Sequence, residues 1–184
     1  MRQIALLLFI SFNCLTCFCQ STRQLTKLDS VRIENQTEEY VSILRDRLEK
    51  ETFLDESKKT MIIAFTLDTC RIERIASEQM KIDFSTVGMS NSVNELNRQY
   101  DQLLNTYYQK LLAKLKDSDK EILKQAQRNW TQFRDSELKL INLLSEDIYS
   151  GGGTMQTNRR SARSLYLTKK RLIELYQYLM EVND

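Results

Sequence analysis

The sequence predicts an all-α protein, an antiparallel helical bundle built from long helices. Three observations favour this class. The 184 residues contain no proline and only four glycines, and because both residues interrupt regular structure, their scarcity favours long helices. Apolar residues recur at helical spacing through several long segments, and no run of alternating residues indicates a strand. Hydrophobic residues make up 41% of the chain and charged residues 28%, a balance typical of a globular protein whose helices bury their apolar stripes on one another.

The N-terminus, "MRQIALLLFISFNCLTCFCQ", resembles a secretory signal. Arg2 supplies a positive start, and residues 4–12 form a short apolar core. Cys17 and Cys19 provide small residues at the spacing of a cleavage site. The apolar core is far shorter than the about 20 residues that a membrane-spanning helix needs. We therefore expect a signal peptide over residues 1–19, cleavage after Cys19, and a periplasmic or secreted protein without a membrane span; a buried N-terminal helix is the alternative.

Composition excludes several classes of function. The chain has no histidine, so it cannot use a histidine general base, a Ser-His or Cys-His nucleophile pair, or a histidine metal ligand. A net charge of +2 with interspersed signs is no basic footprint for nucleic acid. After cleavage only Cys70 remains, so no internal disulfide forms, and we interpret Cys70 as a small packing residue. We assign no catalytic, cofactor-binding or metal-binding residue.

Residues 20–64 are interpreted as an N-terminal helical extension. Residues 20–36 are polar and lack a clean period, which predicts a loose leader or frayed helix. Residues 37–50 then place Val41, Leu44 and Leu48 on one face of a helix. A second helix is predicted over residues 56–80. Its apolar side consists of Ile62, Phe65, Ile72, Ala76 and Met80.

Capping signals define the helices that follow. Ser92 and Glu95 form a capping box, which predicts a helix from Val93. Its apolar stripe is Val93, Leu96, Tyr100, Leu103, Tyr107, Leu111 and Leu115. Ser118 and Glu121 repeat the box and predict a helix from Asp119 to about Tyr149, closed by the glycines at 151–153 in the left-handed conformation. The last helix is predicted over residues 156–181, with Ala162, Leu165, Leu172, Leu175, Tyr176 and Leu179 on one face.

The stretch "QAQRNWTQFRDSE" holds the only tryptophan, Trp130. At 100° per residue, one broad apolar arc contains Leu123, Ala126, Trp130, Phe133, Ile141, Leu144 and Ile148. Trp130 is therefore predicted to anchor the core. Glu137 falls in the middle of this arc, where a charge is costly unless it is paired. We predict a buried polar cluster in which Arg134 binds Glu137 and the hydroxyls of Tyr100 and Tyr107 complete the network; a ligand pocket is the alternative.

Four segments, "LNRQYDQLLNTYYQKLL", "LKQAQRNWTQFRDSE", "YSGGGT" and "LTKKRLIEL", resemble in order and spacing the LprI-like lysozyme-inhibitor domain, a small exported helical module of bacterial envelopes. The resemblance covers residues 65–182. The family motif Q-R-x-W-x-x-F-R-D falls on Gln127, Arg128, Trp130, Phe133, Arg134 and Asp135, and the motif T-x-x-R-x-x-x-L on Thr168, Arg171 and Leu175. Many members carry cysteines after the first motif and in the last helix, which are absent here, at Leu138 and in "SARSLYLT".

The resemblance implies an exported binding protein that acts without catalysis on lysozyme or another wall-acting protein. The alternative is a periplasmic helical interaction or structural module with no lysozyme role. A hydrolase that uses paired acids is a third reading, but the sequence positions of the acids do not indicate that they converge. If the target is a carboxylate-lined cleft, we expect contact through the exposed loop "SGGGTMQTNRR", in which Gly151, Gly152 and Gly153 allow close approach and Arg159 and Arg160 meet the acids. The sequence sets no oligomeric state.

Overall fold

The computed structural model describes residues 22–53 and 55–182, and within them it contains six α-helices, one short 3-10 helix and no strand. The α-helices are α1 (Lys27–Lys50), α2 (Lys59–Ile82), α3 (Thr86–Lys114), α4 (Lys120–Leu143), α5 (Asp147–Ser150) and α6 (Met155–Glu181), and the 3-10 helix is Glu56–Lys58. This architecture confirms the all-α prediction. No helix in the described ranges is both long enough and apolar enough to cross a bilayer. The predicted signal peptide and its cleavage site lie outside the described residues.

Helices α3 and α6 form the most extensive packing contact, and α2 packs against α3. The main core consists of Ile72, Ala76, Leu96, Tyr100, Leu104, Tyr107, Leu111, Leu123, Leu172, Leu175 and Leu179. The predicted stripes of α3 and α6 are confirmed at most positions because helical spacing brings these side chains to one face. Two details differ: Leu104 is more deeply buried than Leu103, and Ala162 is exposed beside the buried Ser161.

Helix α1 pairs with α2 through a second, smaller cluster. Val41, Ile63 and Leu67 are buried there, with Leu44 packed against them. The prediction of a helix over residues 37–50 is therefore confirmed. The predicted division between an extension and a main domain, after residue 64, falls within α2 and stays a prediction.

The prediction of a loose leader or frayed helix over residues 20–36 is wrong from Lys27 onward, because α1 begins there with a capped N-terminus. Thr26 and Asp29 form a reciprocal capping box: the Asp29 N–H donates to Thr26 Oγ1 at 3.2 Å, and the Thr26 N–H donates to Asp29 Oδ2 at 3.0 Å. The Arg23 guanidinium donates to both oxygens of the same carboxylate. Ile33 and Thr37 are buried at helical spacing, and the polar character of Thr37 concealed this period in the sequence.

The predicted start of α3 is also wrong. The N-cap is Ser85, whose hydroxyl oxygen accepts from the Gly88 N–H at 3.0 Å, and Ser92 lies buried inside the helix. The Ser85 hydroxyl in turn donates to Asp83 at 2.6 Å. A Cβ at Gly88 would lie 2.1 Å from the Asp83 carboxyl carbon, so glycine is what permits this tight turn.

Helix α4 is shorter and less buried than predicted. It begins within one residue of the predicted start, but its N-cap is Asp119 and no side-chain hydrogen bond caps it; the Ser118 hydroxyl donates to Asp119 instead. The helix ends at Leu143, and the separate helix α5 follows, closed by Gly151 at a φ of 75° as the glycine signal predicted.

The apolar arc predicted on α4 is only partly packed. Leu123 and Ile141 are buried, and Trp130 is half-buried against the main core. Ala126, Phe133, Leu144 and Ile148 are exposed. Helix α4 contacts α6 much less extensively than α3 does, so one narrow seam of the helix is buried and the rest of the arc faces solvent.

Candidate functional site

The two family motifs meet where α4 crosses α6. Arg171 of α6 is only 7% exposed, and its Nε donates to Gln127 Oε1 of α4 at 3.1 Å. Its Nη1 also donates to Glu174 at 3.2 Å. The Trp130 ring lies near two guanidinium groups, 5.2 Å from that of Arg134 and 5.9 Å from that of Arg171. The motif residues thus form a cation–π junction that joins α4 to α6.

The remaining motif residues have separate positions. Thr168 is buried, and its hydroxyl donates to the carbonyl of Ser164. Arg128 is exposed and pairs with Glu121 two turns back along α4. The side chains of Phe133 and Asp135 are also exposed. The first motif therefore contributes both to the helix junction and to the solvent-facing surface of α4.

The predicted buried pair between Arg134 and Glu137 does not exist. Arg134 donates to Asp135 at 2.9 and 3.0 Å and to Asp101 of α3 at 3.4 Å. Glu137 is half-buried, and it makes no hydrogen bond or ion pair within the described part of the chain. Because this arc of α4 reaches solvent, the Glu137 carboxylate needs no internal partner.

Tyr100 and Tyr107 are buried as expected, but their hydroxyls bind acids on α2. The Tyr100 hydroxyl donates to Glu73 Oε1 at 2.5 Å, and the Lys169 ammonium of α6 donates to the same oxygen. The Tyr107 hydroxyl lies 3.5 Å from Asp68 Oδ2. The real polar cluster therefore links α2, α3 and α6, and the predicted cluster with Arg134 and Glu137 is wrong.

This cluster has the electrostatics of a structural ion pair. Burial raises the pKa of Glu73, but hydrogen bonds from Lys169 and Tyr100 outweigh burial and leave that pKa below its usual range. Burial and the neighbouring Glu73 raise the pKa of Tyr100 well above its ordinary value. At neutral pH, Glu73 is thus a carboxylate neutralised by Lys169, and Tyr100 is a neutral donor. A glutamate with a lowered pKa and a resident cation is poorly suited to proton donation.

Sequence reasoning missed Glu73, Asp68 and Lys169. A signal for the two acids was present, since they flank the apolar stripe of α2 that carries Ile72 and Ala76. The side chain of a tyrosine on a facing helix is long enough to contact an acid at such a flanking position. Which tyrosine meets which acid depends on the helix register, and no single segment contains that information.

A cleft of about 460 Å³ opens beside the cluster, lined on its apolar side by Tyr40, Leu44 and Ile173. Cys70 is half-buried on its wall and forms no disulfide within the described residues. Across residues 22–53 and 55–182, no three acidic or cysteine side chains are grouped so as to hold a metal ion.

The glycine loop is shorter than predicted. Gly151, Gly152 and Gly153 all have positive φ angles, of 75°, 80° and 96°, a conformation that suits glycine. Helix α6 then starts at Met155. Arg159 and Arg160 are exposed as predicted, but they lie on the helix and not in a loop.

A second cleft, of about 300 Å³, lies between α5 and the start of α6. Arg159 and Arg163 line it on one side, and Leu144 and Tyr149 line it on the other. The arrangement combines exposed guanidinium groups with exposed apolar side chains. Such a surface is suited to binding and contains no recognisable catalytic set.

Comparison with protein families shows what the chain resembles. A family model described as "Lysozyme inhibitor LprI" matches residues 76–175, more than half of the chain. The matched region contains both motifs, the helix junction at Trp130 and the cleft beside α5. No curated protein matches the chain, and no solved structure matches it.

Proposed function

This chain belongs to the LprI family of lysozyme inhibitors, and on that basis we propose that it is an exported envelope protein that binds a wall-acting enzyme without catalysis. The family match over residues 76–175 carries the proposal. Lysozyme is the target that the family description names, so it is the first target to test. The signal-like N-terminus supports export to the periplasm or beyond.

Two features of the chain support binding rather than catalysis. The sequence has no histidine, which removes the commonest general base. The carboxylate of Glu73, which contacts the buried Tyr100, is held by Lys169 and Tyr100. An inhibitor needs only a stable surface, and the α3–α6 packing supplies a rigid support for one.

Calorimetric titration of lysozyme into the purified chain from Gln20 to Asp184 tests the proposal. We expect a single saturable binding event. The same protein, incubated alone with cell-wall fragments, should release no product. Absence of binding would remove the lysozyme assignment. Turnover of a wall fragment that is lost on replacing one acidic residue would overturn the non-catalytic proposal altogether.

The alternative is a periplasmic helical interaction module with no lysozyme role. Exposed apolar side chains along α4 and α5 favour it, because Phe133 is 53% exposed and Ile148 81% exposed, and exposed apolar patches mark interaction surfaces. Affinity capture from envelope extract distinguishes the two. Retention of a partner by a protein that leaves lysozyme unbound would favour the alternative.

A further inference from the structure

Three arginines near the start of α6 differ from most others in the described residues. The arginines that form an ion pair there are Arg23, Arg32, Arg47, Arg71, Arg98, Arg128, Arg134 and Arg171. Arg159, Arg160 and Arg163 are all exposed, and none of them has an ion pair or a side-chain hydrogen bond to a described residue. Three guanidinium groups without an ion-pair partner among the described residues thus lie within five residues of one helix.

These arginines do not stabilise the helix that carries them. They lie in its second and third turns, beyond the first turn in which the helix dipole acts, so the dipole does not stabilise them. Arg159 and Arg163 are also four residues apart, a spacing at which like charges repel. The first turn of α6 contains no acid to offset them. Water hydrates these exposed guanidinium groups, so the fold does not require partners for them, and they can bind acidic groups of another protein.

The surroundings of the cluster have the character of a protein interface. Leu144, Ile148 and Tyr149 are exposed beside the arginine-lined cleft. Tyrosine and arginine are the residues that most often dominate binding energy at interfaces. The neighbouring glycine turn has no bulky side chain, so a partner backbone can approach closely. We define the arginine face as Arg159, Arg160 and Arg163 together with this apolar margin.

We infer that the arginine face is the partner-binding surface, an inference that rests on the proposed function. Its occupant is the carboxylate-lined cleft of a wall-cleaving glycosidase. Such enzymes carry a pair of carboxylates that flank the bond they cleave. An arginine fork binds a carboxylate through two parallel hydrogen bonds.

The test compares two triple variants that change the net charge equally. The first variant reverses the charge of the arginine face through the replacements Arg159→Glu, Arg160→Glu and Arg163→Glu. The control variant reverses the charge of three exposed cations elsewhere, through the replacements Lys27→Glu, Arg45→Glu and Lys116→Glu. In calorimetric titration with lysozyme, the arginine-face variant should bind at least about tenfold more weakly than the wild type, and the control variant should bind as the wild type does. Helicity and the thermal midpoint of the arginine-face variant should not fall, because the replaced arginines do not support the fold.

A second probe separates this inference from the proposed function. Hexaglutamate peptide, added to the labelled wild-type protein, should shift backbone amide resonances within residues 144–163, and the arginine-face variant should show no such shifts. If lysozyme does not bind but these shifts are seen, the lysozyme assignment fails while the acidic-partner surface stands. Equal weakening by both triple variants, or absence of peptide shifts, would overturn the inference. So would binding to phosphatidylglycerol vesicles that depends on the arginine face without any peptide shift.

Discussion

Removal of the Tyr100 hydroxyl should destabilise the protein much more than removal of the Tyr107 hydroxyl. Both residues are almost fully buried on α3, at 1% and 0% exposure, so replacement of either by phenylalanine removes one oxygen without opening a large cavity. The difference lies in their partners. Tyr100 donates to Glu73 at 2.5 Å, whereas Tyr107 lies 3.5 Å from Asp68, at the outer limit of a hydrogen bond.

The expected magnitudes follow from these contacts. A hydrogen bond to a charged group contributes about 1.5–3 kcal/mol. Because the Glu73 side chain is 45% exposed, we expect the lower half of that range, about 1.5–2 kcal/mol, for Tyr100→Phe. For a chain of this size, that loss lowers the thermal midpoint by roughly 3–8 °C. Tyr107→Phe should cost below about 0.5 kcal/mol, because its hydrogen bond is long.

The difference in stability between the Tyr100→Phe and Tyr107→Phe variants should also depend on pH. The pKa of Glu73 is lowered in the folded protein, so its contribution to stability is fully present above its unfolded pKa of about 4.3. That contribution is lost as the pH falls through the lower, folded pKa. Thermal unfolding followed by circular dichroism at neutral pH and at about pH 3 should therefore show a smaller effect of Tyr100→Phe in acid. Equal losses for both variants at neutral pH, or a gap that does not narrow in acid, would refute this reasoning.

Three further replacements can be checked by the same unfolding measurement. Arg171→Ala should cost about 1–3 kcal/mol because it removes a buried side chain and leaves the half-buried Gln127 and Glu174 without this donor, whereas Arg134→Ala should cost only about 1 kcal/mol because its acidic partners are exposed; the reverse order would contradict the geometry. Gly151→Ala should cost about 1–2 kcal/mol because alanine is strained at a positive φ, and an unchanged midpoint would show that the turn rearranges freely. Cys70→Ser should cost less than about 1 kcal/mol, since no disulfide is lost, and a large destabilisation would show that its packing against the cleft matters.

The long helices were predictable because their signals are local. The stripe through Leu96, Tyr100 and Leu111 and the glycine stop at Gly151 can each be recognised within one segment. Helix starts were harder to predict, because two serines compete to cap α3. Ser85 does so, supported by the turn that follows α2 and by Asp83, and this support depends on chain folding that a local S-x-x-E pattern does not contain.

The candidate site was less predictable than the fold. Periodicity predicts one apolar arc that includes Phe133 and Ile148, but it cannot show which residues of the arc have a neighbouring helix, and both of these are exposed. Three acids were within reach of Arg134, and the geometry selects Asp135 and Asp101 over Glu137. The unpaired state of the arginine face is likewise invisible in sequence, because it depends on where every carboxylate lies in space.

The rate at which lysozyme clears a suspension of cell walls tests the central claim most directly. With the chain from Gln20 to Asp184 in increasing molar excess, the initial rate should fall in proportion to the fraction of lysozyme that is bound. The variant with a reversed arginine face should leave the rate close to that of lysozyme alone, and the control variant should inhibit as the wild type does. A clearing rate that stays unchanged at saturating excess of the wild-type protein would contradict the account.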